Sequence, residues 1–218
     1  MPPQKSQLDF LSLPLKARLR IYEYVLVSEP QVIPHCKLAA DPLITPSVLR
    51  TCKQIHSEAS PILHSKNTFL VAEPERNLKW FKRMGRSNIK HLKRIRIFVH
   101  PVYYTEEIPY LCTAPESSFW YKVLDQLAQE AMGLRDLYIY WDAEETWVHY
   151  GAGRDLRFVR ELAKIQRLQS MGINVFYGIH WPRYLAEKTG VPIQEEDHTQ
   201  PFLQCLRKYQ QGTENLVP

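Results

Sequence analysis

Along LPLKARLRIYEYVL, from Leu13 to Leu26, apolar side chains recur at Leu15, Leu19, Tyr22 or Val25, and Leu26. That three-and-four spacing predicts an amphipathic helix. Pro14 suits its first turn, where a missing N–H costs nothing. Pro30, Pro34, Pro42 and Pro46 then break the chain into a long loop, residues 29–46. From Ser47 a second helix is expected, with Val48, Leu49, Cys52, Ile55, Ala59, Ile62 and Leu63 on one face. Lys53, Ser57, Glu58 and Lys66 fall opposite. Pro61 should kink or end that helix.

Beyond Asn67 the pattern changes to short apolar runs separated by helical stretches. The runs are Thr68 to Ala72, Arg94 to His100, Asp136 to Trp141 and Ile173 to Ile179. They are rich in Ile, Val, Phe and Tyr, as strands are. Helices are expected near Glu75 to Met84, Ser117 to Met132 and Asp155 to Leu168. Ser117 or Ser118 and Asp155 read as N-caps, and Gly133 and Gly172 as left-handed helix ends. Ile95, Leu137 and Val175 recur at intervals of about 40 residues. The expected fold class is therefore mixed α/β, with right-handed βα units and about four parallel strands in sequential order. Residues 1–66 would form a helical module, 67–181 a βα repeat, and 182–218 a C-terminal helical segment and tail. That last segment carries an acidic loop at Glu195, Glu196 and Asp197 and a final helix around Pro201 to Tyr209.

Composition adds bounds to this picture. The 218 residues are 44% hydrophobic and 23% charged, enough for a substantial core. No apolar run approaches the roughly 18 residues of a spanning helix, and Met-Pro-Pro-Gln-Lys is not a secretory leader. The four cysteines form no Cys-x-x-Cys pair, and none of the five asparagines lies in a glycosylation sequon. An intracellular chain, cytoplasmic or nuclear, with no membrane partner is the expectation.

The net charge of +5 is unevenly placed. Nine basic residues and no acid lie between Arg76 and Arg96, and the rest of the chain is net −4. The run suggests either a solvated helix face or a contact for phosphate or nucleic acid through Lys79, Lys82, Arg83, Arg86 and Lys90. Trp80 and Phe81 within it fit core packing better than base stacking, because Leu78 and Met84 share their helical spacing.

Motifs with strong mechanical content are absent: there is no Walker loop, His-Glu-x-x-His or Gly-x-Ser-x-Gly. Gly151-Ala-Gly153 lacks the third glycine of a phosphate turn. His35, Cys36, Cys52, His56 and His64 offer zinc-type ligands at the spacing of no standard finger, and Cys52 falls on an apolar helix face. Ionisable residues end the expected strands at Glu73, His100, Asp142 and His180, with Glu144, Glu145 and His149 nearby. No nucleophile with a neighbouring base accompanies them, so no catalytic residue, metal or cofactor is assigned. The rim suits recognition instead, through His100, Trp141, Asp142, Trp147, His180 and Trp181, with Tyr150 beside them.

The two N-terminal segments carry a family likeness. FLSLPLKARLRIYEYVL followed by SVLRTCKQIHSEASPILHSKNTF resembles the fungal F-box-like proteins of unknown function. The matching positions are Leu13, Pro14, Arg18, Ile21, Tyr22, Leu26, Leu49, Cys52, Lys53, Gln54, Ile55, Glu58, Ala59, Asn67 and Phe69. Two departures stand out: Leu15 and Lys16 follow Leu-Pro where an acidic residue is usual, and the Pro-rich loop is long. The resemblance implies a substrate adaptor of a cullin-type ubiquitin ligase, with a Skp1-like partner on the N-terminal helices and an unidentified protein substrate on a leucine-rich-repeat-like second half. A helix-in-groove contact would then use Leu13, Pro14, Ile21, Tyr22 and Leu26.

Overall fold

A computed structural model describes residues 9–28, 44–99, 117–141, 156–174 and 180–194. Two units of packing follow each other along the chain. In the first, α1 (Leu15–Leu26) follows a single 3-10 turn over Phe10–Ser12, and Pro14 is the residue that caps it. A second 3-10 turn, Pro46–Arg50, precedes α2 (Lys53–Lys66). The second helix therefore starts later than its apolar spacing suggests. Cys52 is extended there, with φ −155° and ψ 166°, and its Sγ accepts from the N–H of Ile55 at 3.5 Å. Cys52 is exposed as a cap and not buried on a helix face. Pro61 lies inside α2 without ending it. Beyond it Ile62, Leu63 and His64 remain packed, and His64 Nδ1 lies 2.7 Å from the carbonyl of Ser60, across the turn that contains the proline.

α1 and α2 enclose a small core of Tyr22, Leu26, Ile55 and Ala59, with Phe10, Leu19, Val25 and Leu63 around it. An ion pair ties the two helices. Arg18 donates from Nε and Nη2 to the two oxygens of Glu58, at 2.9 and 2.7 Å. Tyr22 Oη and Gln54 Nε2 also donate to Glu58, both at 3.0 Å. The donors hold the Glu58 carboxyl well below its ordinary range, at about 2, with the Arg18 hydrogen bond the largest cause. Arg18 also reaches the carbonyls of Leu11 and Leu13, so it fixes the entry of the chain into α1.

The second unit is a five-stranded parallel sheet in the order β1-β2-β3-β4-β5. The strands are β1 (Thr68–Val71), β2 (Arg94–Val99), β3 (Asp136–Trp141), β4 (Ser170–Asn174) and β5 (Ile193–Gln194). The helices are α3 (Pro74–Met84), α4 (Arg86–Ile89), α5 (Ser117–Glu130), α6 (Leu156–Leu162) and α7 (Trp181–Thr189). The mixed α/β class and the sequential parallel order expected from the sequence are what the chain adopts. A fifth strand lies in the segment read as a C-terminal helical extension.

The fourth strand is also displaced. Ile95 pairs with Leu137, as the repeat spacing has it, but Leu137 pairs with Met171 and not with Val175. Two consequences follow for glycine. Gly172 lies within β4 and does not end a helix, and Gly133 has no positive φ. A side chain at Gly133 would run into the carbonyl oxygen of Lys90, 2.3 Å from the Cβ position. Among the described residues the glycines with positive φ are instead Gly85 after α3, at φ 75° and ψ 158°, and Gly190 after α7, at φ 73° and ψ 10°, and of these only Gly190 is a left-handed helix end.

Alternation along the strands sorts residues between two faces. Phe69, Val71, Ile95, Ile97, Val99, Leu137, Ile139, Met171 and Ile173 turn toward the helices. There they meet Phe81, Trp120, Leu124, Phe158 and Leu185 in one continuous core. Successive helices α3, α5, α6 and α7 touch one another, so they form one layer on that face. Among the described residues, no helix is long and apolar enough to cross a membrane.

The two units meet at α2, α4 and β1. Ser60 Oγ donates to Asn88 Oδ1 at 2.8 Å, joining α2 to α4. Asn67, between α2 and β1, donates to the carbonyls of Leu26 and Leu63 and accepts from the N–H of Ser28. The residue that ends α2 thereby also ends α1.

Candidate functional site

The second face of the sheet is built in rungs set by the parallel register. Thr68, Arg94, Asp136 and Ser170 stand side by side across β1 to β4. Next along come Leu70, Arg96, Tyr138, Gly172 and Gln194. A third rung carries Phe98 beside Tyr140, whose rings stack at 4.9 Å and 8°. Leu70, Phe98 and Tyr140 are buried, whereas the polar members of the first two rungs are half-buried or exposed. Those two rungs line a cavity of about 90 Å³. It has room for a small polyatomic ion or a few waters.

Each cavity side chain has a local reason for its place. Ser170 Oγ donates to Asp136 Oδ1 at 2.7 Å, across the β3–β4 boundary. The Arg96 guanidinium lies over the Tyr138 ring, 4.5 Å from its centroid. Tyr138 in turn lies flat on the space left by Gly172. A Cβ there would fall 2.4 and 2.6 Å from its Cδ2 and Cε2. Arg94 donates from Nη2 to the carbonyl of Lys66 at the end of α2, while its Nε is buried with no hydrogen-bond partner.

This site was not among those expected at the strand ends. The alternation in RIRIFV and DLYIYW carries its signal, since polar or aromatic side chains take every second position. Of the expected rim, His100, Asp142 and Trp147 lie outside the described residues, as do Tyr150, Glu144, Glu145 and His149. Trp141 ends β3, and its side chain is likewise outside them. His180 is exposed just before α7. Trp181 is not a surface residue: at 4% exposure it belongs to the helix-side core, stacked near Phe158 at 6.3 Å. Its indole is what seats the first turn of α7 against α6.

The basic run is divided by the fold. Lys79, Lys82 and Arg83 on α3, Arg86 on α4 and Lys90 just after it are exposed, whereas Arg94 and Arg96 lie in β2 on the second face. The run is thus spread over two helices and a strand. Lys79 pairs with Glu75 at 2.7 Å and Arg86 with Glu130 at 2.8 Å. Trp80 and Phe81 pack inward against Phe69.

On α1 the expected anchors separate. Tyr22 and Leu26 are fully buried in the module's own core, so they have no surface to offer a partner. Pro14 is exposed and Leu13 half-buried. Ile21 is 41% and Tyr24 87% exposed, and with Ala17 they follow a spacing of four and three on the side away from Arg18, Tyr22 and Leu26. Leu15, expected on the apolar stripe of the helix, is half exposed, and Tyr24 joins the exposed apolar set without having been singled out.

Among the described residues no group of three or more His, Cys, Asp or Glu could hold a metal ion. Cys52 is exposed and His64 is buried against Ser60, while His35 and Cys36 are outside the described residues. No curated protein and no solved structure matches the chain. A family model does, over residues 44–178, from the turn before α2 through the whole of β4. The chain therefore belongs to the family described as Domain of unknown function (DUF7730).

Proposed function

We propose that the chain is a protein–protein interaction protein of the F-box-like adaptor kind, with α1 presented to a Skp1-like partner and the βα sheet to a protein substrate. One observation carries the reading. The apolar residues of α1 divide onto two opposed faces: Tyr22 and Leu26 close the intramolecular core, while Ile21 and Tyr24 stay exposed. The second set has the spacing of helix-in-groove anchors. The Arg18–Glu58 pair holds the helix in place from its buried side, so the exposed side is presented on a rigid support.

The test is co-purification of the chain with a fungal Skp1 homologue, alongside Ile21→Asp and Tyr24→Ala. Both substitutions lie on exposed positions, so the folded state is expected to survive. Stable one-to-one binding that both variants lose supports the adaptor reading. Absence of binding by the folded wild type refutes it.

A second reading is a non-ligase protein that contacts phosphate or nucleic acid through residues 76–96. Its support is that Lys82 and Arg83 on α3 and Lys90 just after α4 are exposed to solvent. It requires a binding constant that falls steeply with salt and is lost in Lys82→Glu/Arg83→Glu.

A further inference from the structure

We propose that the outward face of α1 engages a protein groove whose apolar floor is bordered by carboxylates, with Lys16 and Arg20 as the cations that meet them. This deepens the adaptor reading, on which it rests, by naming the chemistry of the partner's surface.

Helical spacing sets the composition of the face. Ala17, Ile21 and Tyr24 turn away from the buried Arg18, Tyr22 and Leu26, and Lys16 and Arg20 lie on the same outward side. Both cations are exposed. Among the described residues neither has an ion-pair or hydrogen-bond partner. The acids described in the N-terminal unit are all taken: Asp9 accepts from the N–H of Leu11 at 3.1 Å, Glu23 pairs with Lys66 at 3.4 Å, and Glu58 holds Arg18. The face therefore offers two positive charges beside an apolar strip. An acidic border on the partner is its complement, whereas the same face of a second copy would repel it.

A separate observation concerns the helix itself, which disfavours both charges. Lys16 is the second residue of α1, where the helix dipole favours an acid, and the first turn contains none. Arg20 is four residues further on, so two like charges are neighbours on the helix surface. Folding gains nothing from either cation, and a carboxylate from outside relieves both penalties. Local rules broken without an internal gain mark a surface shaped by binding.

The side chains suit the two parts of such a groove. The stems of Lys16 and Arg20 can lie on its apolar wall while their heads reach the border, where a carboxylate accepts the guanidinium fork in two hydrogen bonds. Tyr24, at 87% exposure, supplies the large ring that the floor would bury. Border charges act mainly on the rate of encounter and its salt dependence, whereas a desolvated anchor acts on dissociation. That difference separates the roles of the cations and the ring in one measurement.

The experiment is biolayer interferometry with the full chain and a fungal Skp1 homologue. Wild-type association should slow at least about fivefold between roughly 50 and 500 mM salt. Lys16→Gln/Arg20→Gln should slow it at least about fivefold at the lower salt and remove most of the salt dependence, while Tyr24→Ala should instead speed dissociation. Lys82→Gln/Arg83→Gln on α3 makes the same change in net charge and should alter association less than about twofold. Lys16→Glu gives α1 an acid in its first turn and a Glu–Arg pair at i, i+4, so its thermal midpoint should rise while its association slows. A damaged fold cannot produce both changes. Glu29 and Asp41 lie outside the described residues, and if either paired with Lys16, Lys16→Glu would lower the midpoint instead.

That lowered midpoint, salt-independent association of the wild type, unchanged association of Lys16→Gln/Arg20→Gln, or faster association of Lys16→Glu would each overturn the proposal and leave the adaptor reading standing. Absence of wild-type binding overturns both. A DNA duplex or phosphatidylserine vesicle bound by the wild type and released by Lys16→Gln/Arg20→Gln would assign the face to a polyanion instead. A dimer seen by sedimentation and lost in Tyr24→Ala would assign it to a second copy.

Discussion

Replacing Asn67 with Ala removes the side chain that satisfies a carbonyl at the end of each N-terminal helix and the N–H of Ser28. The Asn67 side chain has no exposed surface, and its amide satisfies the carbonyls of Leu26 and Leu63 at 2.7 and 2.8 Å and the N–H of Ser28 at 2.8 Å. Two of the three are helix-terminal carbonyls that the helices themselves cannot satisfy. An orphaned buried group costs about 1 to 3 kcal/mol, and partial relaxation toward solvent will recover some of that. The expected loss is about 3 to 5 kcal/mol, a large share of the 5 to 15 kcal/mol typical of a folded domain. Urea unfolding followed by circular dichroism reads it directly. With a slope of about 2 kcal/mol/M, the midpoint should fall by roughly 1.5 to 2.5 M. Asn67→Asp sharpens the test, since it keeps an acceptor for Ser28 but turns a second oxygen toward two carbonyls. At neutral pH it should be at least as harmful as Asn67→Ala, and acid should relieve it by restoring an O–H donor. A loss below about 1 kcal/mol for Asn67→Ala would mean that the amide is not what closes α1 onto α2.

Gly172→Ala should destabilise by about 1 to 3 kcal/mol, because its Cβ would meet the Tyr138 ring at 2.4 Å and displace it. In a double-mutant cycle with Tyr138→Ala the two losses should fall clearly short of additivity, and additive losses would contradict the contact. Burial holds His64 below the ordinary histidine pKa of 6.5, with His91 and His56 adding repulsion, and His91 is lowered likewise. Their contribution to stability is therefore complete above pH 6.5 and is lost as pH falls through the lowered folded values. His64→Gln should flatten that part of a stability–pH curve measured by urea unfolding. Glu58, lowered from 4.5 to about 2, contributes stability that is present above pH 4.5 and lost between there and about 2. Glu58→Gln should remove that lower step, and a curve unchanged in this window would refute the role assigned to the Arg18 pair.

The elements legible in the sequence were those whose periodicity agrees with their packing. β2 and β3 were readable because apolar alternation and β-branched residues coincide, and the expected Ile95–Leu137 partnership is the observed one. β4 was not, because Ser170-Met-Gly-Ile-Asn carries only two large apolar residues, Met171 and Ile173, and the more apolar run follows it. Gly172 misled for a physical reason: glycine serves both left-handed turns and close approaches, and only the presence of Tyr138 on the neighbouring strand selects the second use. The start of α2 was misplaced because Val48 and Leu49 pack against the same core as Ile55, though they reach it from a 3-10 turn. Pro61 is expected to kink or end the helix because its local cost is real, but it does not end it, since tertiary packing of Ile62, Leu63 and His64 carries α2 on to Lys66.

The candidate site needed the register as well as the pattern. Arg94 and Arg96 were counted with Lys79, Lys82 and Arg83 because they are close in sequence, yet α3 and β2 show their charges on opposite sides of the sheet. Period two along β2 places Ile95 and Ile97 in the core, so the arginines flanking them must face away from the helices. Asp136 and Ser170, distant in sequence, arrive beside Arg94 only through the β2–β3 and β3–β4 register. A net basic charge summed over residues 76–96 therefore joins two surfaces that no single ligand of small size can touch together. Salt dependence alone would report both, and only variants on each side of the sheet can separate a helix-side polyanion contact from one made through Arg94 and Arg96 on the second face.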